Sequence, residues 1–469
     1  MTPRPGYMSR KVKWLHFVGI GGSGMSGIAE ILLNLGYKIT GSDIRKTDVT
    51  KRLERLGAKV FYEHSAENVG DADVVVVSSA IKSDNPEVVA AKERGIPIIP
   101  RAEMLAELMR LKYGIAVAGT HGKSTTTSLI GQVLTEADVD PTVIVGGRVV
   151  NLRSNVRLGT GQYLVAEADE FDKSFLRLSP TIAVVTNIER EHMESYGDIE
   201  NLFDAFLQFM NKVPFYGAVI LCIDEPPLQE LMPKIERRVI TYGLSTQADV
   251  RAVKISFSEK GTDFEVLVSD KPVGSVHTKL VGLHNVKNTL AAIAVGIELG
   301  LDFEDIKRGL AKFQGVYRRF QIKGYVSGIL VIDDFAHHPT EIRVTLQAAK
   351  MTYDRRVVAV FQPHLYSRTK EFAHEFGKAF LDSDVLVVTD VYGAREEPIE
   401  GVTGELIARA AKDYGHRSVF YEPKMENIPA LLLKITKPND IVMTIGAGNI
   451  WKVGDEFLKR LSAKVEREK

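Results

Sequence analysis

The 469-residue chain has a single cysteine, Cys222, so no internal disulfide can form. Cys222 sits in the apolar run Ala218–Ile223 and reads as a buried strand residue rather than a nucleophile. Net charge is absent as well: 60 Lys and Arg stand against 60 Asp and Glu. Proteins that bind nucleic acid or membrane surfaces carry a basic excess, so neither is an expected partner. No run approaches the roughly 20 consecutive apolar residues of a membrane-spanning helix. Met1–Arg10 lacks the apolar core of a signal peptide. There is no low-complexity segment and no short repeat. These absences point to the cytoplasm. What remains is 45% hydrophobic and 26% charged, a globular composition in a chain long enough for about three domains.

Short apolar runs alternate with amphipathic stretches in the first third. Strands are predicted at Trp14–Val18, Tyr37–Gly41, Ala58–Phe61, Val74–Ser78 and Pro97–Ile99, with helices at Met25–Leu35, Val49–Leu56 and Pro86–Arg94. This βαβ rhythm predicts an open parallel sheet covered on both faces. A second unit opens with Gly114–Ala118 and continues through Tyr163–Ala166, Thr181–Thr186 and Ala218–Ile223. Then Val250–Phe257, Asp263–Val268 and Val273–Leu280 alternate in period two, joined by turn residues, as an added antiparallel meander would. The last third returns to βαβ with strands at Leu330–Asp333, Arg356–Phe361, Val385–Thr389, Ser418–Tyr421 and Asp440–Ile445. The expected domains are 1–107, 108–322 and 323–469.

The sharpest chemical signal is Gly119-Thr120-His121-Gly122-Lys123-Ser124, between a strand and the helix predicted at Thr125–Leu134. Glycines let backbone N–H groups close around phosphate oxygens, and a helix N-terminus adds its positive dipole end. Lys123 would reach the terminal phosphates of ATP and the Ser124 hydroxyl would ligate Mg²⁺. Val117 stands where the full eight-residue phosphate loop has glycine, so the match is to the Gly-Lys-Ser core in its strand–helix setting. Gly19-Ile20-Gly21-Gly22-Ser23-Gly24 also follows a strand and opens a helix, with Asp43 ending the next strand at ribose-binding distance in sequence. That pattern suits NAD; the physics requires only a diphosphate at a helix N-terminus.

Carboxylates cluster after two further strands, at Glu167-Ala168-Asp169-Glu170 and in Asn187-Ile188-Glu189-Arg190-Glu191-His192. The carboxyl edge of a parallel sheet beside a phosphate loop is where Mg²⁺ ligands sit. The Glu170/Asp172 end reads as a charged loop. Asn285 and Asn288, one turn apart, suit an adenine edge or simple capping. Arg319, His337, His338, His364 and Arg368 fall in three patches in or just before the last third; the histidine spacing is not that of a zinc site, and the arginines suit carboxylate or phosphate.

In this order, GIGGSGMSGIA, GTHGKSTTT, EADEFDKSFL, TNIEREHMESY, LHNVKNTLAA, DDFAHHPTEI, FQPHLYSRT and GAGNIW closely resemble the Mur ligase family from about Lys11 to Leu461. The resemblance implies an α/β protein of three domains, N- and C-terminal Rossmann-like parallel sheets flanking a central P-loop ATPase domain with an added antiparallel sheet. It implies ATP-dependent ligation, with Mg²⁺, of L-alanine to the lactyl carboxylate of UDP-N-acetylmuramate through an acyl phosphate, in peptidoglycan precursor synthesis, by a monomer or homodimer. Gly19, Gly21, Gly22, Ser23, Gly24 and Asp43 would then hold the UDP-sugar, and Gly119 to Thr125 with Asn285 and Asn288 the ATP. Ser124, Glu167 and His192 would hold the metal, His364 and Arg368 the amino acid. Lys123, Arg319, His337 and His338 would serve the chemistry. Phe335 and Leu365 stand where some members have Tyr and Arg, which bears on how L-alanine is held. The alternatives are a sibling that adds a preformed peptide to the same UDP-sugar, and an NAD-dependent oxidoreductase built on Gly19–Gly24.

Overall fold

Runs of β-branched residues buried on both faces form parallel strands, and the chain builds three sheets from them. The computed structural model describes residues 12–78, 80–150, 154–171, 173–191, 193–394 and 396–468. His192, Asp172 and the Met1–Arg10 segment lie outside the described residues.

The first sheet has the order Lys59–Phe61, Lys38–Ser42, Trp14–Val18, Val74–Val77, Ile98–Pro100, parallel throughout. The chain reverses its direction of travel at Trp14–Val18, and ligands bind beyond the carboxyl ends of strands at such a switch point. Gly19 begins there.

The central sheet has ten strands, in the order Lys271–Thr278, Gly261–Val268, Val250–Ser258, Val239–Gly243, Ala218–Cys222, Ile182–Val185, Tyr113–Ala118, Tyr163–Glu167, Thr142–Val149, Ser154–Arg157. From Val250–Ser258 to Thr142–Val149 the pairings are parallel; Ser154–Arg157 closes the edge antiparallel. The predicted meander is the other edge. Its last turn places Ser269 and Asp270 at φ of 47° and 62°, the type I′ geometry that matches strand twist. Cys222 is fully buried, and burial pushes its thiol up to about 12.

The third sheet runs Gln321–Val326, Ile329–Asp334, Ile441–Ile445, Val357–Phe361, Val385–Val388, Val419–Tyr421. Only the first pair is antiparallel. Separate apolar layers, one around Ile342, Phe361 and Phe376 and the other around Val360, Ile428 and Phe457, cover its two faces. Residue 107 falls within the helix Arg101–Met109 and residue 322 within the strand Gln321–Val326. By contacts the chain divides into two compact units, one of residues 1–254, 264–277 and 287–314, the other of 255–263, 278–286 and 315–469. Among the described residues no helix is long and apolar enough to cross a membrane.

Candidate active site

In the first unit the buried strand Tyr113–Ala118 lies between Tyr163–Glu167 and Ile182–Val185, so three loops leave the sheet side by side. Gly119 takes φ 131° and a Cβ there would collide with the Thr186 hydroxyl. Gly122 takes φ 83°, and its Cβ would lie 2.6 Å from Asn288 Oδ1. Both conformations belong to glycine. The loop is stitched to its neighbour: Thr120 N–H donates to Asn187 O at 3.1 Å, His121 N–H to Asn187 Oδ1 at 2.8 Å, and Glu189 N–H to Thr120 Oγ1 at 2.8 Å. The helix Lys123–Glu136 starts directly after Gly122 with no side-chain cap, which leaves its first N–H groups for a ligand.

Lys123 Nζ donates to Gly119 O at 2.6 Å and lies 2.7 and 2.9 Å from the two Glu170 oxygens. Burial works against its charge, and the carboxylates of Glu170 and Asp169 more than restore it. Glu170 is not a solvated loop carboxylate: it is 2% exposed, and burial pushes it up to about 7 while Lys123 pulls it back. Glu167 Oε1 accepts Gly146 N–H at 2.6 Å, and the Ser124 hydroxyl bonds to the same side chain. Burial raises its pKa. A hydroxyl and a carboxylate in contact at a phosphate loop form an all-oxygen donor pair that fits Mg²⁺.

The helix Leu283–Glu298 carries both predicted asparagines, each 7% exposed. Asn288 Oδ1 accepts the Thr126 hydroxyl at 3.2 Å and so touches the phosphate-loop helix. Asn285 Nδ2 turns back to Val281 O at 2.8 Å.

In the first sheet, Gly19 N–H and Ile20 N–H both donate to Ser42 O at 2.9 Å, and Gly21 N–H donates to Asp43 Oδ2 at 2.9 Å. A Cβ on Gly21 would stand 2.7 Å from that oxygen. Asp43 thus braces the loop itself. The helix Ser23–Asn34 begins at Ser23, and a Cβ on Gly24 would meet the Arg101 guanidinium at 3.2 Å. Arg101 was not singled out from sequence, because nothing in the order of residues brings 101 to 24.

The second unit gathers the basic residues. Arg319 Nη1 lies 3.5 Å from Glu341 Oε1, while Glu341 Oε2 accepts His337 N–H at 2.9 Å and lies 3.2 Å from His337 Nδ1. His338 caps the helix Pro339–Thr352, its Nδ1 accepting Thr340 N–H at 3.4 Å. The His364 ring stands 5.8 Å from His337, stacks at 6.0 Å on Tyr392, and has its Nδ1 3.2 Å from Arg368. Phe335 lies under both Arg318 and Arg319, at 5.2 and 5.3 Å. Leu365 holds φ 70°, an unusual backbone state for a branched side chain. Asp334 accepts Phe320 N–H and Ala336 N–H, each at 2.7 Å, and burial pushes it up to about 6. The cluster therefore joins four predicted residues, Arg319, His337, His364 and Arg368, and adds Glu341 and Tyr392. Glu341 had a signal, since it sits three residues after a capping residue; Tyr392 had none.

Three successive family segments match the chain: the Mur ligase family catalytic domain over residues 15–113, the Mur ligase middle domain over 117–296, and the Mur ligase glutamate ligase domain over 318–448. The chain is 55% identical over 454 residues to the UDP-N-acetylmuramate–L-alanine ligase of Geotalea uraniireducens, covering 97% of this chain and 99% of that one. It is 54% identical over 456 residues to that of Geobacter sulfurreducens, with the same shares. Among solved structures it is similar to the UDP-N-acetylmuramate–alanine ligase of Thermotoga maritima, at TM-score 0.80 and 31% identity over 96% of this chain and 99% of that one. The murein peptide ligase of Psychrobacter arcticus follows at TM-score 0.70 and 27% identity, covering 96% and 98%. With relatives more than half identical along nearly its whole length, and with all three segments in order, the chain belongs to the Mur ligase family.

Proposed function

We propose that the protein is the ATP-dependent ligase that joins L-alanine to the lactyl carboxylate of UDP-N-acetylmuramate through an acyl phosphate, in the cytoplasmic assembly of peptidoglycan precursors. The observation that carries this is the loop Gly119–Ser124, with Lys123 charged at its base and Ser124 bonded to Glu167. On this reading the glycines and helix N-terminus hold the ATP phosphates. Lys123 neutralises charge on the transferring phosphoryl group, where a positioned cation strengthens as the transition state forms. Ser124 and Glu167, with His192, would hold Mg²⁺, which supplies further positive charge to the phosphates. Asn288 and Asn285 lie by the adenine.

Gly19 to Gly24, Ser23 included, take the UDP diphosphate, braced by Asp43 and faced by Arg101. Arg368 and His364 receive the amino acid, and Arg319, His337 and His338 serve the oxyanion formed when the amine attacks. Phe335, where some relatives have Tyr, offers a ring to the arginines rather than a hydroxyl to the substrate. The domains divide near residues 107 and 322. Phosphate release from ATP should require UDP-N-acetylmuramate and L-alanine together. Release with tripeptide but not with L-alanine would instead select the peptide-adding sibling. Release without the UDP-sugar would defeat both.

A further inference from the structure

Beneath the first glycine loop lies a buried polar network to which no role has yet been given. Glu87, on the helix Pro86–Glu93, is fully buried. Its Oε2 accepts the Ser42 hydroxyl at 2.6 Å and lies 2.9 Å from His64 Nδ1; its Oε1 accepts Asn68 Nδ2 at 2.9 Å and lies 3.5 Å from His16 Nε2. Burial would raise the carboxyl, but these donors outweigh it and hold Glu87 down at about 2. It is an anion surrounded by donors.

The partners of both histidines set which ring nitrogen faces the carboxylate. Trp14 Nε1–H can only donate, and it donates to Thr40 Oγ1 at 2.9 Å. His16 Nδ1 meets the same Thr40 Oγ1 at 2.8 Å, and His16 Nε2 faces the Glu87 carboxylate, an acceptor only, at 3.5 Å. His64 faces the carboxylate with Nδ1, which puts a proton on that nitrogen; in the neutral ring the lone pair then lies on Nε2. Among the described residues Nε2 of His64 has no hydrogen-bond partner, and the side chain is 21% exposed. His64 follows the strand Lys59–Phe61, so it stands on the carboxyl edge that also carries the glycine loop. Ser42 ties the two together: its hydroxyl binds Glu87 while its carbonyl accepts Gly19 and Ile20 N–H. Anchoring the helix to the sheet would need Ser42 and Asn68 but no exposed imidazole.

We propose that Glu87 is a positioning residue that orients His64 so that Nε2 accepts an N–H or O–H of the uridine moiety bound at Gly19–Gly24. The inference rests on the reading of that loop as the UDP-sugar site. A uracil N–H and a ribose hydroxyl share this chemistry.

The test is calorimetric titration of the full-length protein with UDP. His64→Ala should weaken UDP binding roughly tenfold, the scale of one hydrogen bond. The loss should fall on KM for UDP-N-acetylmuramate rather than on kcat. His64→Gln keeps an acceptor and should recover part of it. The difference between wild type and His64→Ala should vanish with 2′-deoxy-UDP if the ribose is the partner, or with 3-methyl-UDP if the base is. Nitrogen-15 spectra of the free wild type should show His64 neutral and protonated on Nδ1. Unchanged UDP affinity in His64→Ala, or a His64 ring that carries a proton on Nε2, overturns this inference. No UDP binding by the wild type overturns the site reading, and the inference with it.

Discussion

Lys123 Nζ lies 2.7 Å from Glu170 Oε1, and the two side chains are only 17% and 3% exposed. The cation proposed for the ATP phosphates is thus already paired inside the protein. Glu170→Gln leaves a buried charge without its counter-ion, which costs on the order of 3 kcal/mol. Nucleotide phosphates would replace the lost carboxylate. Thermal unfolding should show a lowered midpoint without nucleotide and a larger rise on adding ATP than in the wild type. Equal midpoints in both proteins would show that the pair does not hold Lys123 in solution.

Lys123→Ala removes the cation itself. Ligation should fall at least about a hundredfold, the usual loss when a group that stabilises the transition state is deleted. Steady-state phosphate release measures it, and near-normal turnover would remove Lys123 from the reaction.

Gly122→Ala meets two obstacles, a φ of 83° and Asn288 Oδ1 at 2.6 Å from the new Cβ. Strain of about 1–3 kcal/mol is expected. Because Asn288 lies on a separate helix, ATP binding should weaken with stability. Asn288→Ala makes room but leaves the backbone strained, so in the double variant calorimetry should show only part of the ATP affinity restored.

Acid stability should report Glu87. Its folded-state carboxyl lies at about 2, below the ordinary 4.5. A depressed carboxylate contributes stability that is full above pH 4.5 and is lost as pH falls from there toward 2. The contribution is about 3 kcal/mol from that difference. Denaturant unfolding between pH 5 and pH 3 should show the wild type losing stability over a steeper slope than Glu87→Gln. Parallel slopes would mean that other carboxylates carry the acid transition.

Arg318 and Arg319 are neighbours with different duties. Arg318 donates to the carbonyls of Gly446, Ala447 and Gly448 and, at 2.8 Å, to Asp333. Lysine cannot reproduce that fork, so Arg318→Lys should lower stability by about 2 kcal/mol. Among the described residues the Arg319 guanidinium has a single ion pair, to Glu341 at 3.5 Å, besides its packing on Phe335, and a third of its side chain is exposed. Arg319→Lys should leave the unfolding midpoint nearly unchanged while turnover falls. The reverse pattern would exchange their roles.

The strands that sequence periodicity reaches best are the buried ones: Trp14–Val18 matches residue for residue, as does the start of Ala218–Cys222. Periodicity passed over Thr142–Val149 and Val239–Gly243, where Gly146, Gly147, Thr241 and Gly243 interrupt the apolar pattern. Glycine-rich loops were legible because their conformations demand particular residues at particular places. Arg101, Glu170, Tyr392 and the Glu87 network were not. Each acts through a partner distant in sequence or, like Glu170, through a burial that its own charge argues against.

The glycine conformations at 119 and 122 also limit escape from inhibition. A compound held by the main-chain N–H groups of this loop reads no side chain, so substitution cannot delete its partners. Blocking it sterically at Gly119 or Gly122 distorts the loop that is proposed to hold ATP. Resistance to such a compound would have to arise outside the loop, through enzyme abundance, substrate level or exclusion of the drug from the cell.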